Sequence, residues 1–262
     1  MTEASSSESA GAPPEDDSSE VGQEETDKVE APEDSDDVAL VRAVDLNHGT
    51  GVRRVYGGLS FTIPEQSLAV LLGGDGSGKS LLLLALIGRT RPIGGSLRVA
   101  GLDAYARSRA LRKISTAARI GSFVDLEPRH SVRDARRDRA AFEGLGDSAE
   151  RRYSEACDAL ELKVPDESLI EDLSRLQQTQ LTLALAAQQS STLIVLDDAD
   201  RGLNLADQDQ LYRSIDALID STGSTVVVTS VEPESIPDHA TRIPLPAPGS
   251  VDPRHSTATQ SR

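Results

Sequence analysis

Eight residues, GGDGSGKS from Gly73 to Ser80, stand between the apolar runs LAVLL and LLLLALIG. No other stretch constrains the fold as strongly, because it fits the pattern G-x-x-x-x-G-K-[ST] between a strand and a helix. Glycines let successive backbone N–H groups turn inward with no Cβ in the way, which shapes a concave anion site. The run before the loop reads as a buried strand. The run after it reads as a helix starting near Lys79, whose leading end adds a positive dipole. Gly73, Gly74, Asp75, Gly76, Ser77 and Gly78 are therefore expected to wrap a polyphosphate, with Lys79 reaching its outer phosphates. The Ser80 hydroxyl is expected to help complete a Mg2+ shell made otherwise of water and phosphate. The plain alternative is a flexible glycine-rich turn, and the strand and helix on either side argue against it.

A second signal agrees with the first. LIVLDD reads as an apolar strand ending in Asp197, whose carboxylate can orient a magnesium-bound water from a neighbouring strand. STLIVLDD and STVVVTS are continuous β-branched runs, as expected of central parallel strands buried on both faces. Further strands are read at SLRVAG, ARIGSF and TRIPL, and helices at SVRDARRDRAAFEG, DSAERRYSEACDALEL, SRLQQTQLTLALAAQQ and ADQDQLYRSIDALID. The two earliest β segments, VALVRAVDL and GLSFTIP, are joined by NHGTGVRR and read as an antiparallel hairpin. The alternation predicts an α/β chain. Its P-loop NTPase core has a mostly parallel sheet, an N-terminal antiparallel β-subdomain and a helical insertion over roughly 125–175.

Charge is distributed unevenly. Residues 1–38 hold fourteen Asp and Glu against Lys28 alone, a net of −13 out of the chain's −16, which leaves −3 for the rest. With few large apolar residues, this leading segment cannot bury enough surface to offset the entropy of ordering, so it is expected to be a disordered acidic tail. Residues 247–262 are expected to be a second disordered tail. The acidic tail either solubilises the chain or meets a basic partner. One cysteine, Cys157, excludes an internal disulfide framework and reads as a small core thiol on a helix. The N-terminus lacks a basic n-region and an apolar h-region, and no apolar run approaches the ~20 residues that span a bilayer. A cytoplasmic chain is expected, acting at a membrane only through a partner.

Residues 39–246 resemble an ABC-type ATPase subunit. RPIGGSLRVAGLD is similar to the family's P-x-x-G-x-h-x-h-x-G segment, where h is apolar. EDLSRLQQTQLTLALAAQQSSTLIVLDD is similar to the run from the family's signature helix to its acidic strand end, and DDADRGLN to D-E-P-T-x-x-L-D. Lys79 and Asp197 are 118 positions apart, room for the family's helical subdomain, and no N-K-x-D guanine motif is present. The pattern also resembles cassettes that accompany phage-infection-protein (Pip) type membrane permeases. The resemblance implies the ABC ATPase fold, with ATP and Mg2+ as cofactors. It also implies an integral-membrane permease subunit and a second ABC cassette as partners, at the inner face of the cell membrane.

Departures from the family's pattern fall mainly at its hydrolytic positions. The residue after the acidic strand end is usually Glu, the base that polarises the attacking water; here it is Asp198, one methylene shorter. A general base must come within hydrogen-bond reach of its proton, and a misplacement of about 1 Å costs about 100-fold in rate. Ser230 takes the place of the switch histidine, Asp125 that of the Q-loop glutamine, Asn204 that of the D-loop aspartate, and Ala199 that of the usual proline. The signature L-S-G-G-Q reads LSRLQ. Ser174 and Gln177 match it, whereas Arg175 and Leu176 bring side chains where backbone must approach closely. Arg175 either donates charge-assisted hydrogen bonds to phosphate or loosens the contact. Leu81 replaces the usual Thr and Asp75 the usual Asn. His48 falls where an aromatic stacks on adenine, the alternative being an exposed loop residue; Tyr56 reads as strand packing. The binding half persists and the hydrolytic half is thinned.

Two functions of different class follow. One is the ATP-binding subunit of a membrane transport system with slow hydrolysis. The other is a regulatory module that binds ATP as a signal without turning it over. Nucleic acid is not an expected partner, because the folded part has no net basic character and RDARRDR alternates with acids.

Overall fold

The computed structural model describes residues 39–50, 53–121 and 123–247, so the predicted acidic tail, Gly51 and Val52 of the predicted hairpin connection, Ser122 and residues 248–262 lie outside the described residues. Strands β1 (Ala39–Thr50) and β2 (Arg53–Pro64) pair antiparallel. Strands β4 (Gly94–Val99) and β5 (Leu102–Asp103) extend them into a sheet of order β2-β1-β4-β5. The first two strands run beyond the apolar segments that announce them. Register shifts between Ala43 and Gly49 carry the pairing past polar Asp45, as an inserted residue in a bulge does. Gly95 lies against that bulge with φ +82°, and a Cβ there would stand 2.1 Å from the Asp45 carbonyl oxygen.

The second sheet runs in the order β6 (Ser115–Arg119), β7 (Leu193–Leu196), β8 (Thr225–Ser230), β3 (Leu68–Leu72), β9 (Thr241–Pro244) and is parallel throughout. Its strands are apolar at consecutive positions because both faces are covered. Leu68, Val70, Ile194, Leu196, Val226 and Val228 join one core cluster; Ala69, Leu71, Leu193, Val195 and Val227 join the other. The strand period of two thus sorts one continuous run into two cores.

Helices α1 (Lys79–Leu86) and α2 (Ser108–Ile114) pack into the second cluster, together with the antiparallel sheet. Residues of α3 (Val132–Glu143), α4 (Ser148–Ala159), α5 (Arg175–Ala187) and α6 (Leu205–Thr222) build the first. Helix α5 buries ten of its residues, including Thr179, Gln180 and Thr182. Gln180 keeps its amide satisfied by donating to the Leu160 carbonyl at 2.7 Å. Cys157 packs half-buried beside this cluster, and burial pushes its thiol up, which keeps it protonated.

One expectation needs correcting. The strand expected at ARIGSF is shifted: β6 runs over Ser115–Arg119, sharing only Ala118 and Arg119 with that segment, and the chain turns at Gly121, whose φ is +45°. Pairing with β7 selects STAAR, although four of its five side chains are small. Helix α2 gives no clear sequence signal, being seven residues long with Leu111 its one buried residue. Among the described residues, no helix is long and apolar enough to cross a membrane.

Candidate nucleotide site

Strand β3 ends at Leu72 and α1 begins at Lys79, so the glycine loop spans the gap between a buried strand and a helix's leading end. Gly78 caps α1 in the left-handed conformation, φ 95°. A Cβ there would lie 2.7 Å from Val55 Cγ1 and 2.8 Å from the Tyr56 ring, so the β-subdomain presses directly on the loop. A Cβ on Gly73 would stand 2.6 Å from Ser77 Oγ, whereas Gly74 has nothing within 4 Å. Lys79 is buried, and its Nζ donates to the carbonyls of Gly73 at 2.6 Å and Gly74 at 3.2 Å. Ser77 Oγ is buried with no hydrogen-bond partner among the described residues. Asp75, Gly76 and Ser80 are exposed, and Leu81 is half-buried.

These residues fit a bound phosphate chain. The lysine is turned inward across the loop, a buried hydroxyl lacks a partner, and a helix's leading end supplies free N–H groups. Mg2+ fits less directly. The described residues contain no group of three or more His, Cys, Asp or Glu that could hold a metal. Ser80 and Asp197 alone leave most of its octahedral shell to phosphate and water.

Asp197 follows β7, but β7 is not adjacent to the strand that carries the loop. Strand β8 lies between β3 and β7, which separates their axes by roughly 10 Å and corrects the expectation of a neighbouring strand. Thr229 of β8 bridges the interval. Its hydroxyl donates to Asp197 Oδ1 at 2.6 Å and accepts from the Asp198 N–H at 2.7 Å. Asp198 itself has φ +50° and a side chain 41 % exposed, 3.8 Å from Arg201. Burial, then the charge of Asp197, raises its carboxyl above the usual value, with Arg201, Lys79 and Arg119 opposing.

Arg119 escaped the sequence reading. Its guanidinium donates to the carbonyls of Asp197 at 3.1 Å and Asp198 at 2.6 Å, and to Thr179 Oγ1 of α5 at 3.4 Å. One side chain therefore ties the end of β6 to the acidic loop and to the signature helix. Burial lowers its pKa, while Asp125, Asp198 and Asp197 favour its charged form.

Ser230 is directed at the carboxylate of Asp200. It is fully buried and donates to Asp200 Oδ2 at 2.6 Å. That same oxygen accepts from the N–H groups of Val231 at 3.0 Å and Glu232 at 3.1 Å. Asp200 was likewise missed; four positions beyond a strand, it carries no pattern that sets it apart from any loop acid. Asn204 caps α6, its Oδ1 accepting from the Asp207 N–H at 3.0 Å. Asp125 is exposed, with Oδ1 taken by the Leu126 N–H at 2.8 Å.

At the signature, Ser174 and Gln177 form a capping box that starts α5. Leu176 corrects an expectation: its side chain enters the core cluster, so of the two substituted residues only Arg175 stands outward. His48 corrects another. It is 7 % exposed, its Nε2 lies 3.1 Å from Thr90 Oγ1, and its ring sits 5.8 Å from that of Tyr56. An adenine platform needs an open ring face, and this ring is turned into the β-subdomain; nor is it an exposed loop residue. Tyr56 is fully buried, as strand packing requires.

Residues 56–201 match the ABC transporter family. The chain is 31 % identical over 204 residues to a Streptomyces avermitilis protein named as an ABC transporter ATP-binding protein. That match covers 74 % of this chain and 36 % of the Streptomyces protein, so the chain spans about a third of that relative's length. It is 25 % identical over 236 residues to an uncharacterized ABC transporter ATP-binding protein of Methanocaldococcus jannaschii, covering 82 % of this chain and 88 % of the relative. Its fold is similar to that of cbiO1 from Clostridium perfringens, described as part of the ABC transporter complex cbiONQ. The TM-score is 0.66 at 18 % identity, over 78 % of this chain and 82 % of that one.

Proposed function

This chain belongs to the ABC transporter family, and on that premise we propose that it is the ATP-binding subunit of a membrane transport system, holding Mg-ATP at the glycine loop and hydrolysing it slowly. Residues 39–246 form the nucleotide-binding unit in this reading, with the helical subdomain at 125–175. The observation that carries it is the loop itself: buried Lys79 folded across Gly73 and Gly74 beside an unpartnered Ser77 hydroxyl at the start of α1.

Bound Mg-ATP brings the phosphoanhydride and the cation that activates it. Gly73 to Gly78 cradle the phosphates through backbone N–H groups, Lys79 neutralises their charge, and Ser80 and Asp197 hold the metal. Asp198 accepts a proton at a carboxylate oxygen, as a base of short reach. Slow turnover is supported by the company of the hydrolytic residues. Ser230 is tied to Asp200, and Asn204 to the first turn of α6.

A membrane permease is the proposed partner, of the Pip type that the sequence pattern resembles, and a second cassette completes the assembly. Phe123 and Phe142 are 77 % and 82 % exposed beside a cavity of about 660 Å3 bordered by α1, β6 and α3. Exposed aromatic surface of this kind marks a protein contact.

Titrating a fluorescent ATP analogue with Mg2+, then measuring phosphate release, tests the reading. Binding that is lost in Lys79→Ala, with slow release that rises in Asp198→Glu, supports it. Rapid, vanadate-sensitive release abolished by Asp198→Asn contradicts slow turnover, and absence of binding removes the nucleotide. A second reading, ATP as a regulatory signal, is favoured by the pinned Ser230–Asp200 segment and predicts no phosphate release even with the permease present.

A further inference from the structure

Residues 88–114 run from the end of α1 through β4, β5 and α2, and they carry seven Arg and Lys against Asp103 alone, a net of +6. All seven basic side chains are exposed, and none makes an ion pair among the described residues. The arginines of α3 and α4 behave differently. Arg133 meets Glu167, Arg136 meets Asp166 at 3.0 Å, and Arg151 meets Glu155 at 3.8 Å. Asp103 turns its Oδ1 to its own loop, accepting from the N–H groups of Tyr105 and Ala106 at 2.8 Å each.

The fold gathers these charges into a strip. Arg109, Arg112 and Lys113 stand at positions i, i+3 and i+4 of α2 and so share the helix face opposite buried Leu111. Arg112 Nη1 donates to the Gly88 carbonyl at 2.9 Å, which holds that helix beside Arg89. Arg91 lies over the Tyr105 ring, 5.9 Å from its centroid, and the Arg107 N–H donates to the Asp103 carbonyl at 2.8 Å. A carbonyl and a ring face orient a guanidinium without neutralising it. Like charges crowded on one surface repel, and an anion from outside relieves the repulsion.

The neighbouring surface says which anion. Arg89 and Arg112 also line the cavity of about 660 Å3 beside exposed Phe123 and Phe142, the surface assigned above to a membrane permease. The strip therefore adjoins the face that such a partner turns toward the bilayer. Single-stranded nucleic acid is held by cations interleaved with open aromatic rings, and the strip's one aromatic, Tyr105, is half-buried beneath Arg91. A layer of headgroup phosphates asks only for many exposed cations.

We propose that residues 88–114 form a membrane-surface contact, in which the exposed arginines and Lys113 meet anionic lipid headgroups beside the permease. This orientation rests on the permease reading. At 0.1 M salt, charges more than about 10 Å apart are screened, so the local excess and not the chain's net −16 governs the contact.

Cosedimentation of the full chain with vesicles provides the test, with equal parts phosphatidylglycerol and phosphatidylcholine set against phosphatidylcholine alone. Wild type is expected to pellet with the anionic vesicles only, and less as salt rises from about 50 to about 500 mM. The triple variant Arg107→Gln/Arg109→Gln/Lys113→Gln is expected to bind those vesicles about 100-fold more weakly, each charge near the surface contributing a factor of about five. Arg89 and Arg112 stay in place because they border the cavity. The three substituted side chains are exposed and glutamine is a good helix former, so the fold is kept, and a thermal melt verifies it. Equal binding by wild type and variant, equal pelleting with neutral vesicles, or no binding to anionic ones would overturn the proposal. A labelled DNA duplex that binds wild type more tightly than the vesicles do, and is lost in the triple variant, would overturn it in favour of nucleic acid. Mg-ATP is expected to bind the triple variant as it binds wild type, whereas Lys79→Ala is expected to lose nucleotide and keep the vesicles. Failure of the membrane contact and failure of the nucleotide reading are thus told apart.

Discussion

The glycine loop and the loops after β7 and β8 are both rich in polar groups, yet they treat them oppositely. In the glycine loop, Ser77 Oγ has no partner among the described residues, Ser80 is exposed, and Lys79 rests on two carbonyls that a phosphate can replace. After β7 and β8 the polar groups hold one another: Thr229 with Asp197, Asp200 with Ser230, Asn204 with Asp207, Arg119 with two carbonyls. A group without a protein partner is available to a ligand at little expense. One tied to its own backbone must first give up a hydrogen bond worth about 1 kcal/mol. The contrast separates a region shaped to hold a ligand from one shaped to hold itself.

The largest effect that sharpens this contrast is expected at Gly78. Gly78→Ala puts a Cβ into Val55 and Tyr56 at a φ of +95°. That should cost about 3 kcal/mol, or roughly 6–12 °C in thermal midpoint, while Gly74→Ala stays within about 0.5 kcal/mol. Equal melts for the two variants would break the argument that the loop is tightly packed on one side only. Lys79→Ala comes next, with Mg-ATP affinity expected to fall about 100-fold in a fluorescence titration and the melt of the ligand-free protein little changed.

Arg119→Met tests the other region. Losing its bonds to the acidic loop should cost about 2 kcal/mol and lower phosphate release well beyond its effect on Mg-ATP affinity, a split that general destabilisation would not produce. Ser230→Ala is expected to cost about 1 kcal/mol and leave nucleotide affinity unchanged, because Asp200 keeps its two N–H donors. A large drop in affinity there would mean Ser230 serves the ligand after all.

The smallest effect concerns Asp198. Its folded-state pKa is raised by burial and by Asp197 above the ordinary 3.8. The native state therefore binds its proton more tightly than the unfolded chain, and stability falls as pH rises through the window above 3.8. Asp198→Asn is accordingly expected to melt slightly higher than wild type at pH 7, with the difference vanishing below the carboxylate range. If Asp198 is the base, as proposed, phosphate release is expected to decline on the acid side as its raised carboxyl takes up a proton, which a pH profile of release checks.

Much of the molecule was legible before any coordinates. Strand–loop–helix at Gly73–Ser80, the buried strands LIVL and TVVVTS, and the helix from Arg175 all follow from local pattern, because each element's periodicity lies within its own residues. Less legible was β6, where small residues replace the apolar run beside them and pairing with β7 decides. His48 was misread because its position in the sequence says nothing of the Thr90 hydroxyl it meets 42 residues later.

Sequence alone determined the glycine loop and the alternation that supports it, since backbone freedom and hydrophobic period are properties of neighbouring residues. Tertiary structure decided which groups would be left open. Strand order puts β8 between β3 and β7 and so brings Thr229 to Asp197. The same sheet carries Arg119 across 78 positions to the acidic loop. Hydrogen bonds between residues so far apart exist only once strands are ordered and packed, because no local rule links a donor to an acceptor it meets by topology.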